Sequence, residues 1–441
     1  MMSEKSQDSQ AASISNREVQ DRWAIDVNVD PMNIPLEQLD PCHPALFEAD
    51  KFKPYFDRLR AEDPVHLTTE SMFGPYWSVT RFDDILYVDS HHQIFSSDID
   101  QGGIRMGGRP RQAGEPDPMF HLPMFIMADP PVHDEQRKVV APMFTSRALA
   151  DLQDLIRERA IKILDGLPRD EDFNWVKHVS VELTGQMLAT LFDIPQEDRH
   201  KLIHWSDTIE NIGNPDVFET PEEAFAELWK CFEYFDAVWK ERAARTTPGT
   251  DLISVLAQGE STKNMAPNEF LGNMLLLIVG GNDTTRNSIS GGLLAMSQYP
   301  AEYDKLLSDP SLIPKMVPEI IRWQSPVAHM CRTALIDTEL GGKQIKAGDK
   351  VVMWYISGNR DERQIDRPDE FIIDRNNPRH HLSFGFGIHR CLGNRLGEMQ
   401  LTILWEEIVK RLPKIEVVAD PVYLRSNFIH GIRELTVRIP S

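Results

Sequence analysis

Phe384-Gly385-Phe386-Gly387-Ile388-His389-Arg390-Cys391-Leu392-Gly393 is the most specific stretch of this sequence. Its glycines permit tight turns and a close approach of the backbone to another group. The residues from Leu392 to Ile408 have a helical pattern, so Cys391 is predicted to lie at a helix N-terminus. Unpaired N–H groups and the helix dipole stabilise a thiolate there, and the thiolate is the form of cysteine that binds metal. The alternative is a buried structural cysteine in a glycine loop.

The composition excludes several classes of protein. Of the 441 residues, 41% are hydrophobic and 26% are charged, which is ordinary for a globular chain and unlike a disordered chain, a coiled coil or a collagen. Lys and Arg number 47 against 68 Asp and Glu, a net charge of -21 that repels nucleic acid phosphates and anionic lipid. The four cysteines form no CxxC pair, so neither a disulfide framework nor a zinc ribbon is predicted, and a reducing compartment is favoured.

The chain is predicted to be one domain, residues 23–441, after a polar and disordered tail, residues 1–22. The N-terminus lacks the apolar region of a secretory signal. The longest aliphatic run, 274–279, is too short to span a bilayer. We therefore expect a cytoplasmic protein without a membrane anchor.

Hydrophobic periodicity predicts mainly α structure, with a small β region near both ends of the chain. Helices are predicted at 51–61, 149–164, 181–192, 221–243 and 267–298, and strands at 333–340, 351–356 and 435–439. Residues 101–123 show no periodicity and predict a long loop, a feature that in compact domains is usually functional.

Gly280-Gly281-Asn282-Asp283-Thr284-Thr285 lies inside the longest predicted helix. Paired glycines and hydroxyl side chains can loosen the hydrogen bonds of a helix and make room for a small ligand or water. The alternative is a polar surface on an amphipathic helix, but the apolar run 275–279 just before the motif disfavours exposure.

Two further motifs pair charged or titratable residues on one helix face. Glu319 and Arg322 are spaced i, i+3, a spacing that chance alone also produces in chains of this size. Pro318 predicts a kink or a late helix start at this point. His133 and Arg137 follow two prolines at i, i+4; taken singly, they would be interpreted as members of surface ion pairs.

In their order along the chain, the four motifs resemble those of the cytochrome P450 superfamily, the haem-thiolate monooxygenases, and the resemblance extends over residues 45–437. The resemblance implies a single-domain, mainly α cytochrome P450 fold, with haem b buried between the distal helix, 267–298, and the cysteine loop. It also implies O₂ as co-substrate and insertion of one oxygen atom into an unactivated C–H bond. Cys391 is then the axial ligand of the haem iron, and Asp283 and Thr284 are the acid–alcohol pair that relays protons.

The same resemblance assigns the remaining site residues. The haem-binding positions it implies are His133, Arg137, Gly281, Arg332, Phe384, Gly385, His389 and Gly393. Family members most often have Arg where this sequence has His389, so the charge at that position depends on pH. A structural network that holds the cysteine loop is implied for Glu319, Arg322 and Arg375.

Electrons are expected to come from a separate protein. The sequence has no GxGxxG after a strand and no ferredoxin-type cysteine pattern, so we expect no directly bound NAD(P)H or flavin and no fused reductase. A ferredoxin or flavodoxin with its own reductase is implied. One alternative is a haem-thiolate peroxygenase, which would replace the acid–alcohol pair. Another is a haem-based ligand sensor, which would need an output module.

The stretches 275–292 and 320–334 resemble the bacterial alkane and fatty-acid terminal hydroxylases within the superfamily. This resemblance implies terminal (omega) hydroxylation of a small, apolar, linear substrate, either an alkane or a medium-chain fatty acid. A terpenoid or steroid side chain is the alternative substrate. A terminal C–H bond is stronger than its neighbours, so terminal attack needs a narrow apolar channel that positions the end carbon. Its predicted walls are Met119, Phe120, Leu122, Met124, Leu275, Val279, Val327, Ala328, Phe428 and Ile429.

Overall fold

The structure is a computed structural model that describes residues 15–112 and 121–441. Most of its regular structure is helical. Within these residues the α-helices are α1 (Asn16–Arg22), α2 (Pro44–Glu48), α3 (Lys53–Glu62), α4 (Phe82–Ser90), α5 (Val132–Val140), α6 (Ser146–Ala150), α7 (Gln153–Asp165), α8 (Val181–Leu191), α9 (Arg199–Glu210), α10 (Pro221–Ala243), α11 (Leu252–Gln258), α12 (Pro267–Gln298), α13 (Pro300–Ser308), α14 (Ile313–Gln324), α15 (Tyr355–Gly358) and α16 (Asn394–Arg411).

The strands are short and lie mainly near the two ends of the chain. They are β1 (Val65–Thr68), β2 (Tyr76–Val79), β3 (Phe95–Ser96), β4 (Asp172–Asn174), β5 (Met330–Ala334), β6 (Thr338–Leu340), β7 (Lys343–Ile345), β8 (Lys350–Met353), β9 (Glu416–Val417), β10 (Val422–Tyr423), β11 (Ile432–Glu434) and β12 (Thr436–Arg438). The prediction of a mainly α chain with a small β region is confirmed.

The largest sheet joins strands from both halves of the chain. Its order is β1-β2-β8-β5-β3, and the β2–β8 pair is parallel while the other pairs are antiparallel. A second sheet has the order β4-β12-β9, and two hairpins pair β6 with β7 and β10 with β11. Because residues 76–79 and 350–353 are paired, the N-terminal segment is held against the segment that precedes the cysteine loop.

Helix α12 runs through the main hydrophobic core and contacts α8, α9, α14 and α16. It begins with Pro267 at a position where the missing N–H is no loss, and its first turn carries the acidic Glu269, which suits the positive end of the helix dipole. A side chain on residue 281 would place its Cβ 2.7 Å from Leu188 of α8, so Gly281 allows the close packing of these two helices.

Several predicted elements match the structure closely, whereas others are corrected. The helices predicted at 221–243 and 267–298 have those bounds in the structure. The predicted strand 333–340 is two strands, because a turn separates β5 from β6, and the predicted strand 351–356 ends at Met353 and continues into the short helix α15. A late helix start at Pro318 is wrong, since α14 begins at Ile313 and includes Pro318.

The prediction of a disordered tail is wrong for residues 16–22, which form α1; residues 1–14 lie outside the described residues. Ser15 and Glu18 form a capping box, each side chain accepting from the backbone N–H of the other. The Asn16 side chain donates to the carbonyl oxygens of Ile212, at 2.8 Å, and Phe218, at 3.0 Å. These long-range hydrogen bonds attach α1 to residues 212–218. The helix has no apolar face, so the sequence pattern did not indicate that it is ordered.

A buried ion network stands where the sequence predicted one. The Glu319 carboxylate is fully buried and accepts from Arg322 at 2.8 Å, from Arg375 at 2.9 Å and from the N–H of Ile372 at 3.0 Å. Arg322 also donates to the carbonyl oxygens of Asn359 and Pro368. Every charge in this network therefore has a partner, which is the condition for burying ions without a large loss of stability.

We expect Glu319→Ala to lower the free energy of unfolding by about 3–5 kcal/mol, because it leaves the buried Arg322 and the partly buried Arg375 without their carboxylate. Urea unfolding of the purified holoprotein measures this. The matched control is Glu370→Ala, which removes a carboxylate paired with Arg367 at 3.2 Å on the surface and is expected to change stability by less than about 1 kcal/mol. Equal effects of the two substitutions would contradict the structural importance of the network.

Candidate active site

The cysteine loop, residues 384–393, packs against helix α4. The N–H of Cys391 donates to the carbonyl of Phe384 at 2.8 Å and closes the loop, while Gly385 and Gly387 both have φ near +63°. A Cβ on residue 387 would lie 2.4 Å from the carbonyl oxygen of Asp89, so another residue there would push the loop away from α4. Helix α16 begins three residues after the cysteine, at Asn394, with Gly393 as its N-cap.

The Cys391 thiol is free and opens onto an internal cavity. Burial raises the pKa of this thiol, whereas the N–H groups of Gly393 and Asn394 and the charges of Arg137 and Arg390 act in the opposite direction. The thiolate is therefore only partly stabilised by the protein. A bound metal cation would complete its stabilisation, because a coordinating thiol is deprotonated.

The cavity has a volume of about 400 Å³ and lies between α12 and the cysteine loop. Most of its walls are aliphatic or aromatic. Of the predicted pocket residues, those that line it are Leu122, Met124, Leu275, Val279, Val327, Phe428 and Ile429. Ala328 is a correction: it does not line the cavity, and it packs in the core beside the large sheet, with its N–H bonded to the Phe428 carbonyl at 2.8 Å. Met119 and Phe120 lie outside the described residues.

The two residues of the predicted acid–alcohol pair face different surroundings. Thr284 lines the cavity, and its hydroxyl donates to the carbonyl of Gly280 at 3.0 Å. Asp283 is fully buried and does not line the cavity; it pairs with Arg286 at 2.8 Å and accepts from the Ser206 hydroxyl at 2.9 Å. Burial raises the pKa of Asp283 to about 7, although the nearby Arg286 charge lowers it.

Four basic residues predicted at the cofactor meet beside the cysteine loop. Arg137, Arg332 and His389 line the cavity, and the His133 ring lies 4.4 Å from that of His389. Both ring nitrogens of His389 and one of His133 are buried without a hydrogen-bond partner among residues 15–112 and 121–441. Burial and the Arg332 charge lower the pKa of His389 to about 2, so this ring is uncharged at neutral pH. The cluster therefore has donors and positive charge available for an anionic group.

Asp89 is a site residue that the sequence did not reveal. It lies in the last turn of helix α4, where its buried carboxylate accepts from Arg332 at 2.7 Å, from the Tyr355 hydroxyl at 3.0 Å and from the N–H of Phe386 at 2.7 Å. One side chain thus connects the cysteine loop to the basic cluster. A lone Asp without a spacing motif gives no sequence signal, since its partners are 243 or more residues away in the chain.

The arrangement of the cysteine loop, the basic cluster and the cavity is that of a known protein family. Residues 63–413 match the family model described as Cytochrome P450. The chain belongs to the cytochrome P450 family. It is therefore an oxidoreductase with the fold that the sequence motifs predicted, and its family cofactor is haem.

Known cytochromes P450 match nearly the whole chain. Linalool 8-monooxygenase of Pseudomonas putida is 36% identical over 407 residues, which cover 91% of this chain and 99% of that protein. The methyl-branched lipid omega-hydroxylase of Mycobacterium bovis is 33% identical, over 82% of this chain and 83% of its own length. The structure of CYP153D17 from Sphingomonas sp. PAMC 26605 superposes with a TM-score of 0.86 at 44% identity, covering 92% of this chain and all of that one. The predicted resemblance to bacterial omega-hydroxylases is confirmed.

The residues present fit the haem of a cytochrome P450. A thiol opens onto a cavity with mostly apolar walls, which suits a flat hydrophobic macrocycle bound through its metal. The basic cluster at the cavity edge suits the two carboxylates that haem carries, because buried carboxylates need such partners. A Cβ on Gly280 would meet nothing within 4 Å, so helix α12 leaves open space where it faces the cavity. Within the described residues, the chain has no helix of the length and apolarity needed to cross a bilayer.

We expect Asp89→Ala to weaken haem retention and to lower the free energy of unfolding by about 3–5 kcal/mol, because Arg332 loses its buried carboxylate and the N–H of Phe386 loses its acceptor. The rate of haem transfer to apomyoglobin and urea unfolding measure the two effects. Asp83→Ala, at the exposed start of the same helix, is the control and should leave haem transfer unchanged. Haem retention equal to wild type in Asp89→Ala would contradict the connecting role of this carboxylate.

Proposed function

We propose that this cytochrome P450 hydroxylates the terminal methyl group of small linear apolar substrates, either alkanes or medium-chain fatty acids. The observation that carries the proposal is the composition of the cavity above Cys391. Its walls include Leu122 and Met124 from one loop and Leu275 and Val279 from α12. Such walls bind an extended hydrocarbon chain and exclude water from it, and methionine adapts to a flexible ligand. The relative named for omega-hydroxylation of a methyl-branched lipid supports the same position of attack.

A terpenoid or steroid side chain is the second candidate substrate. The name of the Pseudomonas putida relative, linalool 8-monooxygenase, favours a terpenoid. The two candidates differ in shape rather than in chemistry, because both present an unactivated C–H bond to the same site. A comparison of linear and branched substrates of equal carbon number separates them.

The protein's own residues bind the cofactor and the substrate in this proposal. When bound, haem supplies the chemistry of O₂ activation. Cys391 binds its iron as a thiolate, and Arg137, Arg332 and His389 bind its carboxylates. The apolar walls orient the substrate so that its end carbon alone lies within reach of the reacting oxygen, a restriction that requires positions held to about 3–3.5 Å.

Thr284 and Asp283 transfer protons to the reaction site in this proposal. The Thr284 hydroxyl lies at the cavity, where it can hold a proton or an ordered water. With a pKa of about 7, Asp283 both takes up and releases a proton near neutral pH, as a relay residue should. Because Asp283 faces Ser206 on α9, transfer to Thr284 requires a water molecule or a rotation of the Asp283 side chain.

The electron donor in this proposal is a separate ferredoxin or flavodoxin with its reductase. Lys138 and Arg390 are exposed near the cysteine loop, and Arg137 donates to the carbonyl of Arg390. A local positive surface there can steer an acidic partner despite the net charge of -21. That no NAD(P)H or flavin binds directly, and that the protein is cytoplasmic, remain predictions.

Cys391→Ser tests the axial ligand. The reduced carbon monoxide complex of the wild type should show the strongly red-shifted Soret band of thiolate ligation, and the variant should lack it, because a serine hydroxyl does not replace the thiolate. Cys231→Ser, which changes a buried cysteine outside the cavity, is the control and should keep the band. A normal band in Cys391→Ser would remove this assignment.

Regioselectivity tests the proposed function. With a surrogate ferredoxin and reductase, the wild type should convert linear C8 to C12 alkanes mainly to 1-alkanols. Val279→Ala should raise the share of internal alcohols several-fold, because the smaller side chain widens the cavity and lets neighbouring methylene groups approach the reacting oxygen. Val238→Ala, on α10 outside the cavity, is the control and should leave the product ratio unchanged. Mainly internal oxidation by the wild type would refute terminal hydroxylation and leave the family assignment intact.

A further inference from the structure

A second chamber adjoins the cavity above Cys391, and Arg105 borders both. The second chamber has a volume of about 340 Å³. The residues that line both spaces are Arg105, Ile209, Ile212 and Phe428. Cys391 and Thr284 line only the first space, so Arg105 lies where the cavity leads away from the site of oxidation.

Neighbouring residues fix the position of Arg105 in its loop. The carbonyl of Ile104 accepts from the N–H of Cys331 in β5 at 2.8 Å, and the Met106 sulfur accepts from the Asn427 side chain at 3.5 Å. The Arg105 guanidinium lies 4.3 Å from the centre of the Phe428 ring, within the range of a cation–π interaction. The guanidinium is thus held at the boundary by contacts on both sides.

The charge of Arg105 is already balanced. Its Nη2 lies 3.1 Å from Glu210, whose side chain is only 3% exposed, and Glu210 is the one hydrogen-bond partner of the Arg105 side chain within the described parts of the chain. Arg286 stands nearby between Asp283 and Asp207. This group of side chains therefore contains two guanidinium groups and three carboxyl groups. Because Glu210 already pairs with Arg105, a second carboxylate at this guanidinium would lie beside the carboxylate of Glu210.

Arg105 and Glu210 together suit a hydroxyl group. A guanidinium has five N–H donors, so Arg105 keeps donors beyond the one that it uses for Glu210. An alcohol oxygen can accept from these donors, while its O–H donates to the Glu210 carboxylate. A hydrocarbon end makes neither bond, and a carboxylate accepts from Arg105 but is repelled by Glu210.

We propose that Arg105 and Glu210 bind an uncharged hydroxyl group at the end of the substrate remote from the oxidised carbon. The inference rests on the proposed terminal hydroxylation; it adds alcohols with an apolar body to the linear substrates proposed above and disfavours the fatty acids among them. The two residues act as specificity-determining residues, since they select the polar end of the ligand and thereby place the opposite end at the reaction site.

Three probes of equal chain length test this inference in the holoprotein: octan-1-ol, octanoate and n-octane. Dissociation constants are measured by titration of the visible spectrum at neutral pH, and products are analysed separately. The wild type should bind octan-1-ol about 10-fold more tightly than octanoate, which corresponds to one well-formed hydrogen bond to a charged group. It should convert octan-1-ol mainly to octane-1,8-diol, because the bound hydroxyl directs the far methyl to the haem.

Substitutions of the pair should change these preferences in opposite ways. Arg105→Leu should weaken octan-1-ol binding about 10-fold, leave n-octane binding unchanged and replace the diol with products oxidised near the hydroxyl. Glu210→Gln should strengthen octanoate binding, because it removes the repelling charge and leaves the guanidinium free. If Arg105→Leu does not fold, the double variant Arg105→Leu/Glu210→Leu removes the ion pair as a unit and should show the same loss.

Arg425→Leu is the matched control, because Arg425 lines the second chamber but not the first, and it pairs with Glu48. It should keep the alcohol preference. Tighter binding of octanoate than of octan-1-ol by the wild type would overturn the inference, as would an equal loss of n-octane and octan-1-ol binding in Arg105→Leu. Failure of terminal hydroxylation itself would instead appear as internal alcohols from n-octane with the binding preference retained.

Discussion

The ion pair between Glu319 and Arg322 is the interaction on which the geometry of the site depends. It fixes Arg322, which donates to the carbonyl of Asn359 at 2.8 Å. The Asn359 side chain in turn accepts from the N–H of Leu382 at 2.6 Å and donates to the Ser383 hydroxyl at 2.8 Å. Ser383 directly precedes the cysteine loop. A continuous series of buried hydrogen bonds therefore runs from helix α14 to the loop that presents Cys391, so the thiol is placed by rigid elements rather than by the loop itself.

A second constraint is the burial of ions beside an apolar cavity. Three buried acidic groups in or beside the site are each paired with an arginine: Asp89 with Arg332, Asp283 with Arg286, and Glu210 with Arg105. Pairs of this kind add little to stability compared with hydrophobic packing, but breaking one is costly. Their value lies in position: Asp89 and Glu210 hold Arg332 and Arg105 at fixed places on the cavity wall, and Arg286 is held between Asp283 and Asp207.

The sequence predicted best what is encoded locally. The bounds of α10 and α12 follow from long periodic patterns with a proline at the first helical residue. The Glu319 network was implied by the family resemblance, since its i, i+3 spacing also occurs by chance. Cys391 was identified through the resemblance of its glycine-rich stretch to the family's cysteine loop, and the structure shows that Gly387 is needed where this loop approaches α4. Asp89 and Arg105 were missed because their partners are distant in sequence; Glu210 lies 105 positions after Arg105.

The errors also have local physical causes. Val327 and Ala328 were both placed in the pocket, but adjacent residues in an extended segment point to opposite sides, and Val327 alone faces the cavity. The first helix was missed because a capping box and long-range hydrogen bonds order a segment that lacks an apolar face. For the first helix, the deciding contacts come from residues 196 and 202 positions away in the chain.

Helix α9 joins two parts of the site that appear unrelated in the sequence. Its residues Ser206 and Asp207 bind Asp283 and Arg286, respectively, and one turn later Glu210 binds Arg105. Residues three and four apart lie on the same helix face, so these contacts form one surface of α9. The helix therefore holds the buried acid of α12 and the boundary of the substrate cavity in a fixed relation. Because a rigid helix moves as a unit, a displacement of α9 that opens the cavity boundary must also disturb the hydrogen bonds of Asp283.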